Sequence, residues 1–173
     1  MTINRPLGVG IVGAGMIGQL CHIASFAAIA ACRIVGLAEL RPVLGRKVAH
    51  KFGIERLYPS HHELLKDADV DVVVIVTRRP ATGPIARDAL LAGRSVFVEK
   101  PMAHTIDQAR LLVETANRCR RRIAVGMMKR HEACFEQTRN LIERFRSSGE
   151  LGRLITVRAA WSASKTSPRA PEW

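Results

Sequence analysis

A run of β-branched residues in the middle of the chain constrains the fold more than any other feature. Residues 70–76 read Val-Asp-Val-Val-Val-Ile-Val, so Asp71 alone interrupts an apolar strand pattern. A strand that is apolar on both faces has to be covered on both faces, which is typical of a parallel sheet between two layers of helices. The run therefore predicts a central strand of an α/β fold.

The segments around this strand alternate between strand-like and helix-like patterns with short connections. This order predicts a doubly wound parallel sheet with helices on both faces. The helix over residues 16–31 is apolar nearly all round, so we expect it to be buried in the core. The predicted strands are residues 7–12, 33–38, 70–76, 95–98, 123–125 and 154–160, and the predicted helices are residues 16–31, 42–52, 60–66, 84–92, 105–121 and 131–147.

A glycine-rich turn, Gly13-Ala14-Gly15-Met16-Ile17-Gly18, follows the first predicted strand and opens the first predicted helix. In such a turn the first glycine permits a tight bend, the second lets the backbone approach a pyrophosphate, and the third lets the helix pack closely on the strand. The helix start then presents N–H groups and the positive end of its dipole to the phosphates. The motif predicts a dinucleotide site that includes Gly13, Gly15, Met16, Ile17 and Gly18.

An acidic residue closes the second predicted strand, where a dinucleotide-binding fold needs one. Glu39 lies 21 residues after Gly18, and a carboxylate there accepts hydrogen bonds from the adenosine ribose and repels a 2′-phosphate. This favours NAD over NADP. Arg41 would be able to hold that phosphate, so NADP stays open as an alternative cofactor.

The tripeptide Glu99-Lys100-Pro101 directly follows the strand predicted over residues 95–98. Ligands of open α/β sheets bind at the carboxyl ends of the strands, where a lysine can steer a hydroxyl or carbonyl group or move a proton. The proline would fix the backbone that presents the lysine, including by a cis bond. Taken alone, the tripeptide is more typical of a turn than of a site.

Residues 89–103 read Ala-Leu-Leu-Ala-Gly-Arg-Ser-Val-Phe-Val-Glu-Lys-Pro-Met-Ala. This segment resembles the ALxAGKHVxxEKPxA stretch of the Gfo/Idh/MocA family, which is named for glucose–fructose oxidoreductase and inositol dehydrogenase. The glycine fingerprint, the strand over residues 70–77, the Val-Gly-Met-Met-Lys-Arg segment at 125–130 and the Gly-Glu-Leu-Gly-Arg-Leu segment at 149–154 are similar to family segments in the same order.

The resemblance implies a dinucleotide-binding Rossmann domain over residues 1–125. Residues 126–173 would then hold a linker helix and the first strand of an incomplete α/β substrate domain. The implied activity is hydride transfer between NAD(P) and a hydroxyl carbon of a sugar, cyclitol or related small molecule, in a protein that is a homo-oligomer when full length. The resemblance makes Lys100 the catalytic residue, lets Glu99, Lys100 and Pro101 shape the cofactor site, and places Thr77 in the cofactor cleft.

The chain departs from the family pattern in two places. Family members often carry Pro-Asn after the strand threonine, where this chain has Arg78 and Arg79. The family's second domain also carries an Asp-x-x-x-His motif whose histidine is the usual acid–base partner, and this sequence contains no such motif. We therefore expect a truncated copy that is inactive alone. The alternative is a non-catalytic dinucleotide-binding module or a partner subunit.

Other classes of protein fit the sequence less well. The glycine turn is not followed by the Val-Ala-Ile-Lys strand that a kinase needs, whereas a methyltransferase, which also uses a glycine turn and an acidic strand end, is a closer competitor. The net charge is +12, but basic residues are scattered and aromatic residues make up only 5%. The one dense arginine run, at residues 118–122, falls at a predicted helix end, where it complements the dipole. We therefore expect no nucleic-acid partner.

The sequence also predicts no membrane partner and no metal site. No apolar run approaches the roughly 20 residues that a membrane span requires. The four cysteines form no Cys-x-x-Cys pair, and no His/Cys cluster has the spacing of a zinc site. We expect free, mostly buried thiols in a cytoplasmic protein.

Overall fold

The computed structural model describes residues 5–150, 152–158 and 160. The chain divides between Gly126 and Met127 into two compact units. The first contains a six-stranded sheet in which every neighbouring pair is parallel, in the order β3-β2-β1-β4-β5-β6. The strands are β1 (Leu7–Val12), β2 (Cys32–Ala38), β3 (Arg56–Tyr58), β4 (Val72–Ile75), β5 (Ser95–Val98) and β6 (Ile123–Val125).

Helices connect successive strands of this sheet. Helix α1 begins with π-helical turns over Gly18–Ile23 and continues as an α-helix over Ala24–Ala28. The other helices are α2 (Pro42–Phe52), α3 (His61–Leu65), α4 (Arg79–Leu91) and α5 (Ile106–Cys119). The second unit contains a 3₁₀-helix, Met128–His131, and helix α6, Ala133–Ser148.

The core confirms that the sheet is covered on both faces. Val73 and Ile75 of β4 belong to one cluster of buried apolar side chains, and Val74 belongs to another. All three side chains are fully buried. The doubly wound fold predicted from the valine run is therefore confirmed, with β4 paired between β1 and β5.

The expectation that the first helix is buried all round is wrong. This helix ends at Ala28, and Leu20 keeps 62% and Ile17 42% of its surface exposed. Only one side of it packs on the sheet, through residues such as Ile23. An apolar composition does not by itself require burial, because apolar atoms form more than half of the surface of folded proteins.

The observed elements differ from the predicted ones in three further places. Strand β3 was not predicted, because three residues give no periodic signal. Helix α4 begins at Arg79 rather than at Pro84, since Pro80 suits a first helical turn. The strand predicted over residues 154–160 does not form in residues 154–158 and 160, and residue 159 lies outside the described residues.

The cysteines are free, as predicted, but they are not buried. Cys21 and Cys134 are exposed, and Cys32 and Cys119 are partly exposed. Within the described part of the chain, no helix is long and apolar enough to cross a membrane.

A polar network ties the short edge strand β3 to the turn before β4. One Asp67 oxygen accepts hydrogen bonds from Arg56 Nη1 at 2.7 Å and from the Tyr58 hydroxyl at 2.6 Å. Burial raises the pKa of Asp67, but these donors outweigh it and lower the pKa to about 2. The charged form of Asp67 is therefore stabilised in the folded protein.

We expect Asp67→Asn to lower the melting temperature by several degrees near neutral pH. A folded-state pKa below the unfolded value stabilises the fold above the unfolded pKa, and this contribution is lost as the pH falls through the folded pKa. The difference in melting temperature between the two proteins should thus shrink between pH 3.8 and about 2. Thermal melts across this range, with Asp107→Asn as an exposed-aspartate control, test the assignment; a pH-independent difference would contradict it.

Candidate functional site

A cleft of about 800 Å³ opens where β1, β2, β4 and β5 end. These carboxyl ends meet on both sides of the point where the strand order reverses, between β1 and β4, which is where doubly wound folds bind ligands. Ten of the eleven sequence-predicted site residues line it: Gly13, Gly15, Met16, Ile17, Gly18, Glu39, Arg41, Thr77, Glu99 and Lys100. Pro101 is exposed beyond the lining, joined to Lys100 by a cis peptide bond.

The three glycines of the fingerprint do different things. Gly13 has φ +100, and a Cβ there would lie 2.3 Å from the carbonyl oxygen of Val76. A Cβ on Gly18 would lie 2.6 Å from the carbonyl oxygen of Gly13. Gly15 is different, because a Cβ there would meet no atom within 4 Å. Gly13 and Gly18 therefore serve packing, whereas Gly15 leaves open space at the cleft wall.

This open cradle fits the pyrophosphate of a dinucleotide. The backbone around Gly15 is bare on the cleft side, and the helical backbone that leads into the π-helical turns of α1 starts at residue 16. The first N–H groups of a helix have no partner within the helix and carry its positive dipole end. The geometry therefore suits an anion without any side chain between it and the backbone.

Glu39 is buried and already fully hydrogen-bonded. Its Oε2 accepts from the Ala14 N–H at 2.9 Å and from Arg41 Nη2 at 3.1 Å. Its Oε1 accepts from the Arg41 N–H at 3.0 Å and from Arg41 Nε at 2.9 Å. Burial raises the pKa of Glu39, but the hydrogen bonds from Arg41 and Ala14 lower it below its ordinary value overall. Glu39 therefore carries its charge at the cleft wall.

This arrangement changes the expectation for Glu39. A carboxylate has about four lone-pair sites, and four donors occupy them. A ribose hydroxyl can reach the carboxylate only if the Arg41 side chain moves away. That side chain is 61% exposed, so nothing packed around it prevents the movement. In this structure Arg41 thus covers Glu39, and Arg41 also lines the cleft.

Glu99 connects the tripeptide to the first helix. Its Oε1 lies 3.0 Å from His22 Nε2, and its Oε2 accepts from the Lys100 N–H at 2.9 Å. The His22 ring is buried against the Phe97 ring, with centroids 5.5 Å apart. Sequence reasoning missed His22, because no local pattern shows that α1 and the end of β5 meet.

Basic side chains that follow β4 line the cleft. Thr77 Oγ1 lies 3.3 Å from Thr82 Oγ1, which fixes the turn into α4. Arg78 and Arg79, which stand where family members often carry Pro-Asn, both line the cleft. Together with Lys100 they make this end of the cleft electropositive.

The cleft also contains residues that sequence reasoning did not single out. Ser60 and His61 line it, and so does the apolar side chain of Ile85. Ser60 also caps α3, because its hydroxyl accepts the Glu63 N–H at 3.3 Å. No signal in the sequence placed α3 at the cleft, because that placement depends on the unpredicted strand β3.

Comparison with known proteins agrees with this geometry. The family model described as "Oxidoreductase family, NAD-binding Rossmann fold" matches residues 7–127. Inositol 2-dehydrogenase from Salmonella typhimurium is 31% identical over 165 residues, which is 94% of this chain and 48% of that protein. Inositol 2-dehydrogenase from Burkholderia lata is 29% identical over 157 residues, covering 89% of this chain and 45% of that protein. The chain thus spans about half the length of the curated relatives that it matches.

Solved structures show the same fold. GenD2 from gentamicin A biosynthesis, determined in complex with NAD, is 31% identical and superimposes with a TM-score of 0.67 over 70% of this chain and 34% of its own. Apo scyllo-inositol dehydrogenase from Lactobacillus casei, at 22% identity, has a TM-score of 0.77 over 82% of this chain and 42% of its own. The second likeness concerns the fold alone.

We expect Gly18→Ala and Gly15→Ala to differ sharply in stability. An added methyl group on Gly18 meets a backbone oxygen, and such overpacking costs about 1–3 kcal/mol. The same group on Gly15 meets nothing within 4 Å, so the melting temperature should stay near that of the unaltered chain. Equal destabilisation of the two variants in thermal melts would contradict the division of roles.

Proposed function

Because the chain belongs to the Gfo/Idh/MocA oxidoreductase family, we propose that it is the dinucleotide-binding part of an NAD-dependent oxidoreductase. The complete protein would transfer hydride between the nicotinamide and a hydroxyl carbon of a sugar, cyclitol or related small molecule. One observation carries the proposal: a single cleft brings the glycine fingerprint, Glu39 and Lys100 together.

Each part of the cleft has a task in this proposal. The backbone around Gly15 and the helix start behind it hold the pyrophosphate. Glu39, once Arg41 has moved, accepts the hydroxyls of the adenosine ribose. Thr77 borders the cofactor between these two groups and the end of β5, where Glu99 and Lys100 stand.

Lys100 is the residue that we place next to the reacting carbon. Its ammonium group donates hydrogen bonds and so can orient the substrate hydroxyl or the product carbonyl. Glu99 and His22 position it, because Glu99 accepts the Lys100 N–H while His22 holds the other carboxylate oxygen. The bound nicotinamide supplies the hydride acceptor or donor.

The substrate class rests on the relatives. Two of them are named inositol 2-dehydrogenase, so we favour a cyclitol or a sugar. We further propose that the complete protein is a homo-oligomer, that NADP can replace NAD, and that the protein works in the cytoplasm, where free thiols persist. Neither a nucleic acid nor a membrane is needed for this function.

A second function is favoured by one feature of the cleft. His61 is the one histidine among its lining residues, and His61 Nε2 lies 3.1 Å from Asp88 Oδ2. Hydride transfer needs an acid–base group aligned with the substrate proton, whereas His61 is paired with Asp88, and Glu99 is bonded to His22 and to the Lys100 N–H. A non-catalytic module that binds the dinucleotide for a partner subunit therefore remains the competing proposal.

Calorimetric titration with NADH tests the binding step that both proposals share. We expect the 173-residue chain to bind NADH, and Gly15→Ala to weaken binding at least about tenfold, because the methyl group enters the space for the pyrophosphate. The variant's unchanged melting temperature separates lost binding from lost folding. Equal NADH affinity in the two proteins would contradict the assignment of the cradle.

A separate absorbance assay for NADH, with myo-inositol and NAD supplied together, distinguishes hydride transfer from a purely binding role. Formation of NADH, lost in Lys100→Ala with retained NADH binding, supports the oxidoreductase. NADH formation at an unchanged rate in Lys100→Ala would contradict the role of Lys100.

Cofactor preference should depend on the Glu39–Arg41 pair. Arg41→Ala frees the carboxylate oxygens for the ribose hydroxyls and removes the cation that offsets a 2′-phosphate. We expect the ratio of the NADPH to the NADH dissociation constant to rise about tenfold, equivalent to about 1.4 kcal/mol. Arg46→Ala is the matched control, because Arg46 is exposed on α2 outside the cleft lining. An unchanged ratio in Arg41→Ala would contradict the proposal that Arg41 controls access to Glu39.

A further inference from the structure

Two histidines of α3 and an aspartate of α4 come together. His61 and His62 lie in the first turn of α3, and Asp88 lies in the C-terminal half of α4. One ligand atom from each of the three side chains lies within 4.8 Å of the other two. The two imidazole rings are 3.9 Å apart between centroids, with an interplanar angle of 37°.

The two helices that carry these side chains are fixed to the core. Leu64 anchors α3, and Ala86 and Ala89 anchor α4 on either side of Asp88, all of them fully buried. Ser60 caps α3 by accepting the Glu63 N–H. The cluster is therefore carried by two helices fixed to the core rather than by a free loop, which is the support that a metal site needs.

The chemistry of the three groups suits a transition metal. Imidazole nitrogens favour zinc, nickel, copper and related ions, whereas magnesium and calcium prefer oxygen ligands alone. At metal–ligand distances of about 2.0–2.2 Å, two ligand atoms of a tetrahedral site lie about 3.4 Å apart. His61 Nε2 and Asp88 Oδ2 are 3.1 Å apart. The exposed His62 brings its ligand atom within 4.8 Å of those of His61 and Asp88.

We propose that His61, His62 and Asp88 form a binding site for a divalent transition-metal ion. Three protein ligands leave at least one coordination position for water. The site lies at the wall of the dinucleotide cleft, because His61 also lines that cleft. It does not depend on the proposed oxidoreductase activity, since none of the three residues takes part in it.

Metal binding can be measured directly on the tag-free chain. The free thiols, two of them exposed, are first blocked with iodoacetamide, because thiolates would compete for the metal. Calorimetric titration with Ni²⁺ or Zn²⁺ at about pH 7.5, where histidines are mainly neutral, should show about one equivalent bound. A parallel titration with Co²⁺, followed by its visible absorption, reports ligation by nitrogen and oxygen.

Matched histidine variants decide whether the cluster is responsible. We expect His62→Ala and Asp88→Asn to weaken binding about tenfold or more, and His50→Ala, which removes an exposed histidine from α2, to leave it unchanged. Binding should also fall steeply at about pH 5.5, because protonated imidazoles do not ligate metal. Melting temperatures confirm that each variant is folded.

Three outcomes would overturn the proposal: no saturable binding by the unaltered chain, equal weakening by His62→Ala and His50→Ala, or binding that survives the loss of Asp88. The first would leave the cluster as a hydrogen-bonded His61–Asp88 pair beside the tilted ring of His62. The second would indicate adventitious histidine binding. The third would reduce the site to a pair of histidines.

Discussion

The cleft depends on one close approach between backbones at the end of the first strand. Gly18 packs against the carbonyl oxygen of Gly13, and Gly13 packs against that of Val76, at distances where no Cβ fits. These contacts bring the start of α1 and the end of β4 together around the glycine turn. Without them the helix start would stand away from the sheet, and Gly15 would not border a cleft. The electrostatics of the site follow from this packing, because the Ala14 N–H inside the turn reaches Glu39 at the end of β2.

Glu39 both holds the packing around the glycine turn and lines the cleft in which a ligand would bind. Its carboxylate ties the turn after β1 to the end of β2 and carries the guanidinium of Arg41 over its outer side. A buried carboxylate needs such donors to remain charged. In the proposed complex the ribose hydroxyls would replace Arg41 as donors to this carboxylate. The net gain would therefore be smaller than for a free carboxylate, and the released arginine would add positive charge beside the ribose.

Local patterns in the sequence predicted the doubly wound parallel sheet correctly. Each of three features is defined by residues that are close together in sequence: the valine run of β4, the glycine turn and the acidic end of β2. Their sequence patterns were therefore sufficient to locate them. The missed features join distant segments. His22 meets Glu99 across 77 positions of sequence, and His61 meets Asp88 across 27, and no spacing rule covers either pair. Strand β3 was missed because its three residues are defined by pairing with β2 rather than by a pattern of their own. Arg41 is only two residues from Glu39, and its place at the end of β2 was recognised. The sequence did not show that its side chain folds back to donate hydrogen bonds to Glu39.

A crystal structure of the chain with NADH tests the central claim most directly. We predict that the pyrophosphate lies against the backbone of Gly15, that the adenosine ribose lies within hydrogen-bonding distance of Glu39, and that the Arg41 side chain is displaced from that carboxylate. A dinucleotide bound elsewhere, or one bound in this cleft while Arg41 keeps both of its side-chain hydrogen bonds to Glu39, would contradict it.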